Sequence, residues 1–476
     1  MYLKELYISN FRCFRQYRIR FAPVATVLYG KNGSGKTTLI HAIHKAMSFI
    51  MYSDKVYESF KVNGKRKRKC VDVRTITNNN RYLHTKGFAN DDFNNTDDKF
   101  IEVSAVADFD AQECNVGWAM NAMTANYRIR PGEFIDAFRR FYFWCQRTNN
   151  LPLLAYFSDS FPHREDKKKK TIVSKIRKLR NFGYFDWDEE EGCINEWISR
   201  LETNLRLQVQ FISKGLVVNE AGAVVKAEIR KEDENEYNRL KAESRAIEEC
   251  FKIFTDESVF KEPKGILVSR LALGESDANA GKLCVMTLDG REFPFRKLPA
   301  GYKRIFNIIL DLAYRSYILS NDTATDIPGL VIIDEIDLHL HPELEKVVLT
   351  RLTKTFPSLQ FIVSTHSSLV LTGLSTADGR NKIFRMEAIQ DEPETMFDIY
   401  GLDANSGLQL VMGVNPNDDE LNRWLSRAAY MKRNGLEEQY SNLRGYIVAK
   451  NVLTEAEIDK RIQAEIEKDG QYEVDR

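Results

Sequence analysis

The 476-residue chain has no charge bias: 69 Lys and Arg oppose 68 Asp and Glu, a formal net charge of +1. A whole-molecule attraction to polyanions is thereby excluded, and any affinity for nucleic acid has to be local. Cysteine is sparse. The seven, Cys13, Cys70, Cys114, Cys145, Cys193, Cys250 and Cys284, contain no CxxC pair, so neither a zinc knuckle, a zinc hook nor a thioredoxin-like redox pair is legible. Reduced thiols are the expectation. No stretch approaches 18 uninterrupted apolar residues, and MYLKELYISNF at the start has no basic leader with an apolar run behind it. These absences predict a soluble cytoplasmic protein without membrane partners. Internal repeats are missing, and the Glu-, Lys- and Arg-rich segment 219–254 has no sustained heptad seam for a coiled-coil arm.

What is present is ordinary globular material, 43% hydrophobic and 29% charged, in a chain long enough for two or three domains or for one domain with large insertions. Alternation of apolar and polar residues predicts two strands joined around NFRCF, and the run VATVLYG a third. A Gly-rich loop follows, then Leu39, Ile40, Ile43 and Met47 at helical spacing. Residues 52–99 turn polar and include KVNGKRKRK at 61–69, which predicts a surface insertion, a hairpin with mobile loops. A helix is predicted over 135–144 and strands over 101–108 and 151–161. A basic block, 164–180, and an acidic one, 186–197, come next, then a helix over 219–254. CVMTL and REFPF around Asp289-Gly290 predict a hairpin. LPAGYKRIFNIILDLAYRSYIL predicts a helix with Ile305, Ile308, Ile309 and Leu312 on one face, and two apolar strands, LVII and FIVST, frame DEIDLHLHPE. The last part is helical. Leu421, Trp424, Leu425 and Ala428 mark one helix stopped by Asn434-Gly435, and Thr454 with Glu457 reads as a capping box.

Gly30-Lys31-Asn32-Gly33-Ser34-Gly35-Lys36-Thr37 fits G-x-x-x-x-G-K-[ST] between a strand and a helix. Such a loop turns backbone N–H groups inward to cradle phosphate oxygens at a helix start. Lys36 would reach the β- and γ-phosphates and Thr37 would ligate Mg²⁺. Asp334 closes the strand LVII, where a carboxylate at the sheet's carboxyl edge can hold Mg²⁺ through water. Glu335, one residue on, faces another direction and is placed to orient or deprotonate an attacking water. His366, just past FIVST, can hydrogen-bond the γ-phosphate and sense its loss. DEIDLHLHPE also admits a second reading, a metal-dependent hydrolase built on His339, His341 and the neighbouring carboxylates.

NFRCF, the phosphate loop, LPAGYKR, DEIDLHLHP and STHS occur in the order found in ABC-type ATPase heads, and the chain resembles that SMC, RecF and OLD lineage over about residues 1–48, 151–161 and 294–374. The resemblance implies an α/β fold: an ABC-type P-loop NTPase head of mixed sheet and flanking helices with an antiparallel β subdomain, a charged helical insertion and a small C-terminal helical region. It implies ATP and Mg²⁺ as cofactors and nucleotide contacts from residues 30–38, including Thr38, with a further contact from Arg12. Leu298, Pro299, Ala300 and Gly301 then form a signature loop that binds the γ-phosphate held by a second subunit, giving a homodimer or higher oligomer with composite sites. Pro299 stands where a serine is usual, which removes a hydroxyl donor and implies slow or regulated turnover. By the same likeness the LHLHP loop crosses the dimer interface. A Q-loop glutamine is expected, with Gln112 and Gln146 as candidates. The expected division is 1–162 and 264–398 for the two lobes of the head, 163–263 for the insertion and 399–476 for the tail.

Within that lineage LPAGYKRIFNIILDLAYR, PGLVIIDEIDLHLHPE, FPSLQFIVSTHSSLVL and YGLDANSGL resemble the compact ATPases of bacterial antiphage systems, the Septu subunit PtuA and its retron-associated kin. The implied partner is an HNH endonuclease, and the implied role is a sensor or regulator of that nuclease. In the chain itself no DxD follows residue 372, as a Toprim nuclease requires, and the seven histidines form no HNH pattern. A RecF-type DNA-binding ATPase of repair or recombination is the alternative. The basic blocks 61–69 and 164–180 offer contacts to DNA, against the plainer reading of solvated faces.

Overall fold

The apolar runs pair into one six-stranded sheet. In the computed structural model its strands lie in the order Glu394–Thr395, Asn381–Arg385, Ala25–Tyr29, Leu359–Thr365, Gly329–Ile333 and Leu153–Phe157. All neighbours are parallel except the first pair. The last four of these strands are buried at every position, the pattern of a parallel sheet covered on both faces. The structure describes residues 1–62, 65–76, 87–94, 100–109, 115–123, 131–149, 151–158, 180–185, 187, 193–214, 216–218, 224–226, 231–256, 266–322, 325–387, 390–402, 419–450 and 455–474.

The two strands around NFRCF, Tyr2–Phe11 and Phe14–Arg20, join Phe100–Asp108 and Asn115–Met123 in a four-stranded antiparallel sheet. Gln360 stitches it to the main sheet: its Nε2 donates to the carbonyls of Leu3 and Ala22, and its Oε1 accepts the Leu3 amide at 2.8 Å. The helix Lys36–Met47 is fixed beneath, with Trp118 Nε1 donating to Ala46 O at 2.9 Å and Phe49, Phe109, Trp118 and Phe141 clustered beyond it. The polar insertion forms the hairpin Ser53–Val62 and Lys65–Thr75, as its turn signals predicted. A three-stranded sheet, Val268–Leu273, Leu283–Thr287 and Glu292–Pro294, contains the Asp289-Gly290 turn.

One reading needs correction. The helix expected over 219–254 is Lys231–Thr255, preceded by a short strand, Val224–Lys226. The acidic block hides the start of a 21-residue helix, Ile194–Lys214. Its Trp197 is fully buried, stacked on Tyr314, with Nε1 donating to Asp311 at 2.5 Å. Arg200 makes a two-bond pair with Glu243, so this pair of helices is tied in by polar contacts. The helix Ala300–Leu319 has no solvent face: every residue from Arg304 onward is buried. It reads as amphipathic because Asp311 and Arg315, its polar stripe, pair with each other inside the core. Most of the basic block 164–180 lies outside the described residues.

The chain divides into two compact units, 1–401 and 402–476. In the second, Asp419–Arg433, Glu437–Lys450 and Glu455–Val474 pack around Leu425, Ala428, Ile447, Ile458 and Ile462. Asn434-Gly435 ends the first of these helices as expected, and Thr454 lies outside the described residues. Among the described residues no helix is long and apolar enough to cross a membrane.

Candidate nucleotide-binding site

The Gly-rich loop leaves the strand Ala25–Tyr29 at the sheet's carboxyl edge and turns into Lys36–Met47. Its glycines are required by space and by backbone angle. A Cβ on Gly35 would lie 2.6 Å from the ring of Phe14, and φ there is +95°. Gly30 approaches the carbonyl of Met386 as closely, and Gly33 is left-handed at +79°. Lys36 is buried, with Nζ donating to the carbonyls of Gly30 at 2.8 Å and Lys31 at 3.2 Å. Burial lowers its pKa, against the upward pull of Asp334, Glu335 and Asp337. Lys31, Asn32, Gly33 and Thr37 face solvent and Thr38 is half-buried. Ser34 Oγ is buried and has no hydrogen-bond partner among the described residues. An orphaned hydroxyl inside a cradle of this shape fits an anionic oxygen acceptor.

The acidic pair sits at the same edge. One strand, Leu359–Thr365, separates the phosphate-loop strand from Gly329–Ile333, yet Thr37 Oγ1 lies 3.5 Å from Asp334 Oδ2. A hydroxyl and a carboxylate so placed can share one hard divalent cation. Asp334 is buried, and Ser364 Oγ, from the intervening strand, donates to its other oxygen. Glu335 takes a left-handed φ of +50°, so its side chain leaves the direction that Asp334 follows. Its amide donates to Ser364 Oγ at 2.9 Å, and Arg304 Nη2 holds the carbonyls of Ser158, Asp334 and Glu335 at 3.2, 2.9 and 3.2 Å.

His366 is exposed at the end of Leu359–Thr365, with its amide on Asp337 Oδ1 at 3.3 Å. The same oxygen accepts Thr365 Oγ1 at 2.5 Å, so one carboxylate joins the two strand-end loops. Leu298 is buried, Pro299 caps the helix Ala300–Leu319, and Gly301 packs on the LHLHP loop: a Cβ there would lie 2.7 Å from the carbonyl of His339. His339 and His341 are exposed while Leu340 is buried, and His341 Nδ1 caps the next helix by accepting the Glu343 amide. No three His, Cys, Asp or Glu side chains gather as a metal site among the described residues, which leaves the hydrolase reading of DEIDLHLHPE without a ligand set there.

Arg12 sits in the turn whose Cys13 and Phe14 touch Gly35. Its Nε donates to Asp92 at 3.1 Å, its amide to the Asp92 carbonyl at 2.7 Å, and Lys45 Nζ lies 3.0 Å from the same carboxylate. Of the glutamine candidates, Gln146 is exposed on the helix Ile135–Thr148 and Gln112 lies outside the described residues. Sequence reasoning missed Ser364, Arg304, Asp337 and Asp92. The first three stand within the motifs FIVST, LPAGYKR and DEIDLHLHPE, so their positions were marked although their partners were not. Asp92 had no signal at all.

The family model described as AAA ATPase domain matches residues 1–371. The chain is similar to the Retron Vc95 probable ATPase of Vibrio cholerae serotype O1 biovar El Tor, 26% identical over 418 residues, 79% of this chain and 72% of that protein. It is also similar to the Septu protein PtuA of Bacillus mycoides (strain KBAB4), 40% identical over 78 residues, covering 16% of this chain and 11% of that one. Among solved structures, the SMC head bound to the C-winged helix domain of ScpA aligns at 15% identity and a TM-score of 0.40, over 87% of this chain and 100% of that chain.

Proposed function

The chain belongs to the AAA ATPase domain family, and on that premise we propose that it binds and hydrolyses ATP with Mg²⁺, dimerises around the nucleotide, and regulates a separate HNH-type nuclease in defence against phage. The observation that carries the ATPase reading is the approach of Thr37 Oγ1 to Asp334 Oδ2, 3.5 Å apart beside the glycine loop. The amides of residues 30–38 and the Lys36 ammonium hold the phosphates, and Thr37 with Asp334 would hold Mg²⁺, which supplies charge neutralisation. Glu335 accepts the proton of the attacking water, and the left-handed backbone aims it away from the metal side. His366 reads the γ-phosphate. Leu298, Pro299, Ala300 and Gly301 close the phosphate site of a second subunit, with Arg12 at the edge of the subunit's own site.

The likeness to a retron ATPase and to PtuA supports the defence role. Phosphate release from ATP, with and without Mg²⁺, tests the ATPase. Affinity purification after co-expression with neighbouring genes tests the regulatory reading: an HNH protein in the complex supports it, and a purified ATPase whose neighbours never co-purify overturns it.

A further inference from the structure

We propose that the hairpin Ser53–Val62 and Lys65–Thr75 is a ribbon that enters the major groove of double-stranded DNA. It stands on its own charge and geometry and does not depend on a nuclease partner.

From residue 57 to 62 and from 65 to 72 every residue is exposed, so neither face of this part of the ribbon is covered by the rest of the chain among the described residues. The pairing register assigns the faces. Lys61 opposes Arg66, Ser59 opposes Arg68 and Tyr57 opposes Cys70, so Lys61, Arg66 and Arg68 share one face. Val62 opposes Lys65, Phe60 opposes Lys67 and Glu58 opposes Lys69, which puts Lys65, Lys67 and Lys69 on the other. The acids are Glu58 and Asp72 on the second face and Asp54 at the base, where Arg139 Nε donates to it at 2.8 Å. Cations therefore outnumber acids on both faces, in a protein whose overall charge is close to zero.

A surface that merely rests on a polyanion needs cations on one side. Two cationic faces suit a cleft whose two walls are both phosphate, and the major groove of B-DNA, about 12 Å wide, admits a two-stranded ribbon. The deep, narrow major groove of duplex RNA does not. Strands of this length project about 30 Å, and along the exposed part the cations alternate with Tyr57, Phe60, Val62 and Val71, which are themselves uncovered, so neither face is used for packing within the described chain.

The base of the ribbon is packed against the rest of the chain. Tyr52 packs edge-on against Phe134 and Phe138, at 5.1 and 5.5 Å, and the Arg74 guanidinium lies 4.8 Å from the ring of Phe143. The buried turn Ser48–Met51 links the ribbon directly to the end of Lys36–Met47, the helix that starts at the phosphate loop. DNA held by the ribbon is thus held by the same helix that begins at the nucleotide site.

The test is fluorescence anisotropy of the full chain with a labelled DNA duplex, the RNA duplex of the same sequence and the single DNA strand, over a range of salt. The variant replaces Lys65, Arg66, Lys67, Arg68 and Lys69 by Thr, which keeps strand propensity. DNA duplex should bind tightest, and the slope of log K against log salt should flatten by about 4.5 in the variant, at about 0.9 per phosphate contact. Basal ATP hydrolysis should be unchanged. If the fivefold variant does not fold, Lys61→Thr with Arg66→Thr should flatten the slope by about 1.8. An unchanged slope, equal or tighter binding of duplex RNA or of single strand, or no salt-dependent binding by the wild type overturns the proposal.

Discussion

The Glu335 amide donates to Ser364 Oγ at 2.9 Å while Ser364 Oγ donates to the carboxylate of Asp334. One hydroxyl therefore fixes both the left-handed backbone of Glu335 and the orientation of its neighbour. A third residue, on the adjoining strand, thus holds both acids, alongside Arg304 on their carbonyls.

Glu335→Gln should bind ATP as the wild type does and release phosphate at least about a hundredfold more slowly, the usual worth of a positioned general base. Sedimentation with ATP should show a trapped dimer. Turnover at the wild-type rate would remove Glu335 from the mechanism.

Ser364→Ala removes the donor to Asp334 and strands the Glu335 amide. An unsatisfied buried group costs about 1–3 kcal/mol, so the melting temperature should drop, and the Mg²⁺ concentration needed for half-maximal hydrolysis should rise several-fold. A magnesium titration and a thermal melt on the same preparation read both effects.

At Gly301 the space for a methyl group is taken by the carbonyl of His339, 2.7 Å from the ideal Cβ. Gly301→Ala should push the start of its helix off the LHLHP loop at a cost of about 1–3 kcal/mol. ATP affinity of the single chain should persist, whereas the ATP-dependent dimer of the Glu335→Gln background should disappear in sedimentation. Loss of nucleotide binding together with the dimer would instead place Gly301 in the chain's own phosphate site.

Burial pushes the carboxyl of Asp92 up, but the Ala89 amide, the Lys45 ammonium and the Arg12 guanidinium together leave it below its ordinary value of 3.8. A carboxylate with a depressed folded pKa contributes stability that is present above the unfolded pKa and lost as pH falls through the folded value. Asp92→Asn should therefore melt below the wild type at neutral pH, and the gap should close as pH falls below about 4. A gap that is independent of pH would mean that packing, not charge, is what Asp92 supplies. Because Arg12 is tied to Asp92 beside Gly35, the variant should also raise the KM for ATP about two- to tenfold, a loss of the size of one charge-assisted hydrogen bond.

The sheet edge was legible because its signals are local. LVII and FIV are uniformly apolar, each runs into polar residues, and their strands pair as neighbours. The phosphate loop carries glycine at three places where φ is positive, Gly30, Gly33 and Gly35, and a neighbour crowds in at the first and the last of them. What escaped is what long-range pairing decides. Trp197 and Leu201 are a helical step apart on a buried face, but the acids before them mask the periodicity. Arg315 and Asp311 look like a solvated stripe until each is seen to satisfy the other in the core. Arg12 meets Asp92 across 80 residues, and no spacing rule reaches that far.

The helix Ala300–Leu319 is gripped at both ends and in the middle. Arg304 holds the strand-end carbonyls at its start, Trp197 and Arg315 converge on Asp311 halfway, and Arg315 Nη1 donates to the carbonyls of Gly183 and Phe185, at 2.8 and 2.9 Å. A helix of 20 residues spans about 30 Å. To slide or rotate it would have to break the bonds from Trp197 to Asp311 and from Arg315 to the carbonyls of Gly183 and Phe185, while the Asp311–Arg315 pair, internal to the helix, would travel with it. One helix therefore shares hydrogen bonds with the acidic corner at its start and with the turn Arg180–Tyr184 further along, and the two places are joined through it.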